Sequence, residues 1–226
     1  MGMLRLRDQL LMLPLFQGMS RSDIENVVAH TRLGFAKYGK NRVVIGEGDT
    51  CTNLCFLMQG EMESVMSADD GSYTVFETIK APSMIQPERL FGMEQRYTKT
   101  FRAATDCGMV CIGKSGVARL MADFGIFRIN MLNMLNILCT NAQRQSHLQW
   151  RKTPEDIRGK IFAFVESRCQ TPAGHKTLKI KMDTLAAMIG ESRINVSRTL
   201  AALEEDGVLT HSRATMDIPA LERLKE

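Results

Sequence analysis

Residues 183–206 carry the side chains best placed for chemistry, and that chemistry is recognition rather than bond making. Asp183 is a cap candidate for a short helix over Thr184–Ile189, Gly190 breaks it, and Ser192 opens a second helix running to about Glu205. Leu185, Ala186 and Ile189 are spaced to meet Val196, Leu200 and Leu203, so the pair predicts a helix-turn-helix. At the start of the second helix the exposed set is Ser192, Arg193, Ile194, Asn195, Ser197 and Arg198. A helix of this kind fits the major groove of DNA with its N-terminal side chains against base edges. Arginine pairs with guanine and asparagine with adenine, while serine hydroxyls and the N–H groups at a helix start take phosphate. Downstream, Gly207-Val208-Leu209 and Met216-Asp217-Ile218 predict two short strands around Ser212-Arg213-Ala214, a wing whose tip places Arg213 on a phosphate.

Charge is polarised over the same region. Five bases (Lys176, Lys179, Lys181, Arg193, Arg198) face two acids between 176 and 198, whereas six acids face three bases from 199 to 226. The positive end therefore coincides with the recognition helix. The alternative is a helical hairpin with a solvated basic face.

The elements that must position this region read as follows. The chain has 226 residues, 44% of them apolar and 24% charged, with a net charge of +4. Such a chain buries a core without staples. No apolar run approaches the ~20 residues that span a bilayer, and the start lacks a signal core. The expected location is the cytoplasm, and no membrane partner is expected. Leu4–Leu33 reads as helix interrupted at Pro14-Leu15-Phe16, with a restart at Ser20. From Gly34 to Cys111, short apolar runs alternate with turns, among them Asp69-Asp70-Gly71, which predicts an all-β sandwich, barrel or jelly roll. Helix resumes near Lys114, and Phe127–Trp150 is a single long helix. Phe127, Met131, Met134 and Leu138 follow a 4-3-4 spacing, and Leu132, Leu135, Cys139 and Ala142 form an adjacent stripe. Two stripes imply packing on its own domain and on a second copy. Thr153-Pro154 predicts a new helix starting near 154. The expected domains are 1–122, 123–152 for the dimerisation helix, and 153–226.

The six cysteines read as free thiols packed as small apolar groups. Cys51/Cys55 and Cys107/Cys111 are placed to approach one another in adjacent strands, but their spacing fits no known metal site. No metal and no cofactor is expected. A cupin-like enzyme would need clustered histidine ligands, and residues 34–112 contain no histidine. The other alternative is a dimeric ligand-binding module that does not bind DNA.

Taken in order, these segments resemble the cyclic-AMP receptor protein and fumarate-nitrate regulator superfamily of bacterial transcription factors. The resemblance covers roughly residues 10–226 and rests on five stretches: Pro14–Ser20; Val44–Asp49 with Leu57–Gly60; Arg102–Asp106; Ile157–Ile161; and Ile189–Arg198. It implies an α+β chain with an N-terminal cyclic-nucleotide-binding-type β-roll (jelly roll), a long dimerisation helix and a C-terminal winged helix-turn-helix. It implies a homodimer on a near-palindromic double-stranded site that contacts RNA polymerase to activate or blocks it to repress, and the chain is expected to be governed by a small-molecule effector other than cyclic AMP or by none. The family's phosphate-binding Gly-Glu pair falls on Gln86-Pro87 here, and its arginine falls on Tyr97, followed by Thr98. Losing that charge-assisted pair and a loop N–H costs several kcal/mol of ligand affinity, so cyclic AMP is expected to bind poorly or not at all. The implied pocket set is Glu88, Arg89, Tyr97, Thr98 and Arg102, with Gln145 and Ser146 from the long helix. Ile194 stands where the family usually has glutamate, so the half-site should differ from the family's, a thymine methyl suiting isoleucine.

Overall fold

The computed structural model describes residues 3–120 and 127–225. The chain divides into two compact units, one of residues 1–62 and 79–146, the other of residues 63–78 and 147–226.

The first unit opens with α1 (Met3–Leu11) and α2 (Arg21–His30), separated by a 3-10 turn at Pro14–Phe16. The expected break at the proline is present. Ser20 and Asp23 close a capping box at the start of α2: the Ser20 hydroxyl accepts from the Asp23 N–H at 3.1 Å, and the Asp23 carboxylate accepts from the Ser20 N–H at 2.8 Å. The strands are β1 (Leu33–Tyr38), β2 (Val43–Ile45), β3 (Asn53–Gln59), β4 (Glu61–Ser67), β5 (Tyr73–Lys80), β6 (Ser83–Ile85), β7 (Thr100–Ala103) and β8 (Cys107–Gly113). An antiparallel sheet in the order β1-β8-β3-β6 forms one layer, and β2 pairs with β7. The core gathers Phe16, Leu54, Phe56, Leu57, Met58, Ile85 and Phe101.

Helix α3 (Lys114–Leu120) follows β8, and α4 (Phe127–Trp150) is the expected long helix. The start of the predicted 123–152 segment lies outside the described residues. The structure splits the expected α4 stripes. Met134 is buried and Leu138 packs on the unit's own core with Ile129 and Ile137. Met131, Leu132 and Leu135 are exposed instead, with Cys139 and Ala142 continuing the exposed line. The cysteines also need correction. Cys55 and Cys111 oppose each other across β3 and β8 and are joined as a disulfide, while Cys51, Cys107, Cys139 and Cys169 are free. The expected approach of these strands is met, but this pair is not two free thiols.

The second unit holds α5 (Ile157–Glu166), β9 (Lys176–Ile180), α6 (Met182–Ile189), α7 (Arg193–Glu205), β10 (Thr210–Ser212) and β11 (Thr215–Ile218). Helix α5 begins three residues later than predicted. Asp156, not Thr153, caps it by accepting from the Gly159 N–H at 2.8 Å. A Cβ at Gly159 would lie 2.7 Å from Pro154 Cβ, so glycine lets the preceding loop fold back against the first turn.

The β4–β5 hairpin, turning through Gly71 at a left-handed φ of 68°, supplies the remaining strands of this unit. Its β5 pairs antiparallel with β9, from Tyr73 opposite Ile180 to Glu77 opposite Lys176. At the end of that ladder Glu77 and Lys176 are both buried, with Nζ to Oε1 at 2.9 Å. Neither charge relies on the other alone. Lys176 also donates to Thr171 Oγ1 and the Ala173 carbonyl, and Glu77 also accepts from the Gln170 and Thr171 N–H groups and the Thr171 hydroxyl. Tyr73 packs edge-on against Phe164, with Arg168 over both rings.

A buried ion loses far more on losing its partner than the intact pair contributes. Glu77→Leu leaves the buried ammonium with the Thr171 hydroxyl and the Ala173 carbonyl but without its counter-charge, and should lower unfolding free energy by about 3–5 kcal/mol in urea titration. Lys176→Met should cost distinctly less, because the carboxylate keeps its N–H and hydroxyl donors. Equal losses, or none, would contradict this account of the ladder's end.

Candidate nucleic-acid interface

The recognition region is built from α5, α6 and α7. Ile161 and Val165 of α5, Leu185 and Ala186 of α6, and Val196, Leu200 and Leu203 of α7 are buried in one cluster, as the spacing predicts. Gly190 ends α6 at a left-handed φ of 68°, which glycine adopts without steric cost. Ser192 caps α7, its hydroxyl accepting from the Asn195 N–H at 3.2 Å. Glu191 in the turn pairs with Lys160 of α5, tying the turn to the helix beneath it.

With positions 196, 200 and 203 turned inward, helical geometry sends the others outward. Ser192, Arg193, Ile194, Asn195, Ser197 and Arg198 are all exposed, Ile194 to 64%. Ile194 is the one large apolar side chain in this exposed set. Against a thymine methyl it has an apolar partner. The unpaired N–H groups of the first turn and the positive end of the helix dipole add an anion preference in the same place.

Three sequence expectations are corrected. Helix α6 starts at Met182 with Lys181 at its cap position, so Asp183 is not the cap. It lies in the first turn and its carboxylate meets Arg193 Nε at 3.2 Å, both side chains well exposed. Exposed pairs hold about 0.2–1 kcal/mol, so Arg193 leaves this partner at small cost. The wing strands are β10 and β11, and Gly207-Val208-Leu209 is not a strand. Gly207 at φ 65° reverses the chain after α7, the Val208 N–H returns to the Leu203 carbonyl, and Val208 and Leu209 enter the core. Arg213 and Ala214 form the wing turn, with Arg213 exposed at its tip. Finally, Lys176 is wholly buried on Glu77 and contributes nothing to the basic end. The ammonium of Lys179 lies 4.7 Å from the centre of the Phe76 ring. Lys179, Lys181, Arg193, Arg198 and Arg213 remain as the outward bases.

In the first unit the candidate effector residues are divided among the stretch between β6 and β7 (Glu88, Arg89, Tyr97, Thr98), strand β7 (Arg102) and helix α4 (Gln145, Ser146). Gln86, at φ 36°, precedes a 3-10 turn that carries exposed Glu88 and half-buried Arg89. Its amide spans the loop: Nε2 donates to Thr98 Oγ1 at 2.7 Å and Oε1 accepts from the Thr98 N–H at 3.2 Å. The Gln86 amide and Thr98 are thus engaged with each other, whereas the buried Arg89 Nε has no hydrogen-bond partner among the described residues. Tyr97 is buried edge-on to Phe101, with its hydroxyl donating to the Asn53 carbonyl at 3.4 Å. Burial pushes that phenol's pKa up, so it stays neutral. Arg102 is exposed on β7 and donates to the Asn41 carbonyl, and Gln145 and Ser146 are exposed on α4. A cavity of about 940 Å³ lies elsewhere, lined by Leu6, Val28, Phe35, Met58 and Val110 among others, and by none of these residues.

Comparison with known proteins matches this geometry. A cyclic nucleotide-binding domain model matches residues 35–124, and a Crp-like helix-turn-helix domain model matches residues 161–226. A similar curated protein is the cAMP-activated global transcriptional regulator Vfr of Pseudomonas aeruginosa, 23% identical over 202 residues, covering 85% of this chain and 92% of Vfr. Among solved structures, the Thermus thermophilus catabolite activator protein superposes with a TM-score of 0.50 at 18% identity, covering 94% of this chain and 97% of that one. The sensor domain of the regulator DNR from Pseudomonas aeruginosa also gives 0.50, at 13% identity, over 67% of this chain and 96% of its own. These two structural likenesses establish the fold: a β-roll and a winged helix-turn-helix.

Ser192→Ala removes the cap that sets the direction of α7. It should cost about 1 kcal/mol of stability in denaturant titration, whereas Asp183→Ala should change stability by less than that. The reverse order would contradict the corrected cap assignment.

Proposed function

The chain belongs to the superfamily of the cyclic-AMP receptor protein and the fumarate-nitrate regulator, transcription regulators with a DNA-binding helix-turn-helix, and from that premise we propose that it acts as a homodimer on near-palindromic DNA, governed by an effector other than cyclic AMP or by none. The observation that carries the reading is the exposed run at the start of α7, held outward by the burial of Val196, Leu200 and Leu203. Arg198 is assigned to guanine, Asn195 to adenine and Ile194 to a thymine methyl. Arg193 joins them once it leaves Asp183. Ser192, Ser197, Lys181 and Arg213 hold the phosphate backbone.

The second copy is supplied through α4. Met131, Leu132 and Leu135 are exposed, and Leu132, Leu135, Cys139 and Ala142 repeat at the 3-4 interval that a helical partner fills. A dimer lays two recognition helices on half-sites one helical turn apart. RNA polymerase is the protein partner of such a regulator, and the cytoplasm its place of work. No described helix is long and apolar enough to cross a membrane. The reading assigns no catalysis.

Vfr's name records activation by cAMP, and the loop bonded internally through Gln86 and Thr98 argues against carrying that property over. An effector, if one acts, is assigned to Glu88, Arg89, Tyr97, Thr98 and Arg102 with Gln145 and Ser146. Binding there would shift a population between arrangements of the recognition helices.

Fluorescence anisotropy on an operator fragment tests the interface. Arg198→Ala should weaken binding by about 1–3 kcal/mol and relax specificity at one position, whereas Lys181→Ala should weaken all sequences alike and lower the salt slope by about 1. Unchanged affinity and slope in both would sink the assignment. Leu135→Glu should convert the dimer to monomer in sedimentation, and a variant that remained dimeric would remove α4 as the seam. Millimolar cyclic AMP should leave the thermal midpoint of the purified chain unmoved, and a clear rise would overturn the effector reading.

A further inference from the structure

We propose that Cys55 and Cys111 form a reversible thiol–disulfide site in the β-roll, oxidised by hydroperoxides and reset by small thiols, whose state is read one residue away at the Gln86 loop. This goes beyond the DNA-binding reading and does not depend on it.

Position makes the case. The two cysteines are direct partners in the β3–β8 register, with Cα atoms 4.1 Å apart, and the structure joins them. Facing residues of adjacent strands share a side of the sheet, so both sulfurs leave the same face without rearrangement of the backbone. The row continues in both directions. Cys111 faces Gly34 of β1, and Cys55 faces Ile85 of β6. Gly34 is exposed and has no side chain to cover its neighbour, and Cys111 is only half-buried, whereas Cys55 is buried. Cys111 is therefore the thiol that a small reagent reaches, and Cys55 is the resolving partner.

The chemistry closes on these two residues. The Cys111 thiolate attacks the distal oxygen of a hydroperoxide. An S–O bond forms, the O–O bond breaks, and the leaving oxygen takes a proton to give an alcohol, or water from hydrogen peroxide. Attack by the Cys55 thiolate on that sulfenic acid forms the S–S bond and releases its hydroxyl as water. Two thiols and one hydroperoxide thus yield a disulfide, water and an alcohol or second water. Two equivalents of a small thiol restore the pair and leave as their own disulfide.

The readout follows from the same row. Ile85 is the partner of Cys55 and the neighbour of Gln86, whose amide holds Thr98. Cross-linking β3 to β8 stiffens the strand on which β6 rests, and β6 ends at that loop. None of the free cysteines has this placement: Cys51, Cys107 and Cys169 are buried and Cys139 lies exposed on α4.

Peptide mapping of the full chain tests the site. Reduced protein is treated with hydrogen peroxide, alkylated and digested without reductant. The expected product is one cross-link joining the Cys55 and Cys111 peptides, absent before treatment and lost again on incubation with glutathione. Full alkylation of both residues after peroxide, or a cross-link to another cysteine, would overturn the site. Hydrogen exchange of the same samples tests the coupling. Amides across residues 86–98 should exchange severalfold more slowly in the oxidised form, with no such change in peroxide-treated Cys111→Ser. A cross-link with identical exchange in both states would overturn the readout.

Discussion

Three side chains of α7 decide what this molecule can touch. Val196, Leu200 and Leu203 sit on one helical stripe, and their removal from water against α5 and α6 fixes the rotation of the helix about its own axis. Each such side chain gains roughly 1.5–3 kcal/mol on full burial, so rolling the helix to bring a different face outward would forfeit several kcal/mol. Arg193, Ile194, Asn195, Ser197 and Arg198 are outward because these three are inward. Gly190, Ser192 and the Lys160–Glu191 pair then fix where the helix begins. The outward placement of these side chains is a by-product of core packing.

A second constraint is electrostatic and lies elsewhere in the same unit. Lys176 is held wholly out of water by Glu77, Thr171 and Ala173, at the end of the ladder that joins β5 to β9. Stretch 63–78 thereby folds with residues 147–226 although the chain on either side of it belongs to the other unit. The chain thus passes between its units three times rather than once. A register slip along β5 would leave two buried charges unmatched, so the pair opposes such a slip.

Much of this is legible from residue order, and the misses have physical causes. Helix-turn-helix, hairpin turn and long helix are local patterns of periodicity and glycine placement, and each lies where the spacing puts it. The first wing strand lies later than its apolar run suggests because Val208 and Leu209 are apolar for a different reason, as core residues just after a glycine reversal. Lys176 reads as a surface base because its partner lies 99 positions earlier in the chain, and no local pattern announces a contact of that range. The α4 seam is ambiguous for a similar cause: two apolar stripes are visible in the sequence, but which one the chain's own core claims is a tertiary fact. Gln86 stands out in the sequence only for the groups it lacks. Its left-handed backbone and its two bonds to Thr98 are properties of the folded loop.

The central claim is that two copies of the helix opening at Ser192 enter successive major grooves of one duplex. In vitro selection from a pool of randomised duplexes, using the purified full chain, addresses it without the operator having to be identified first. The account predicts enrichment of an inverted repeat whose half-sites are centred about 10–10.5 base pairs apart. Recovery of no motif, or of a single unrepeated one, would contradict it.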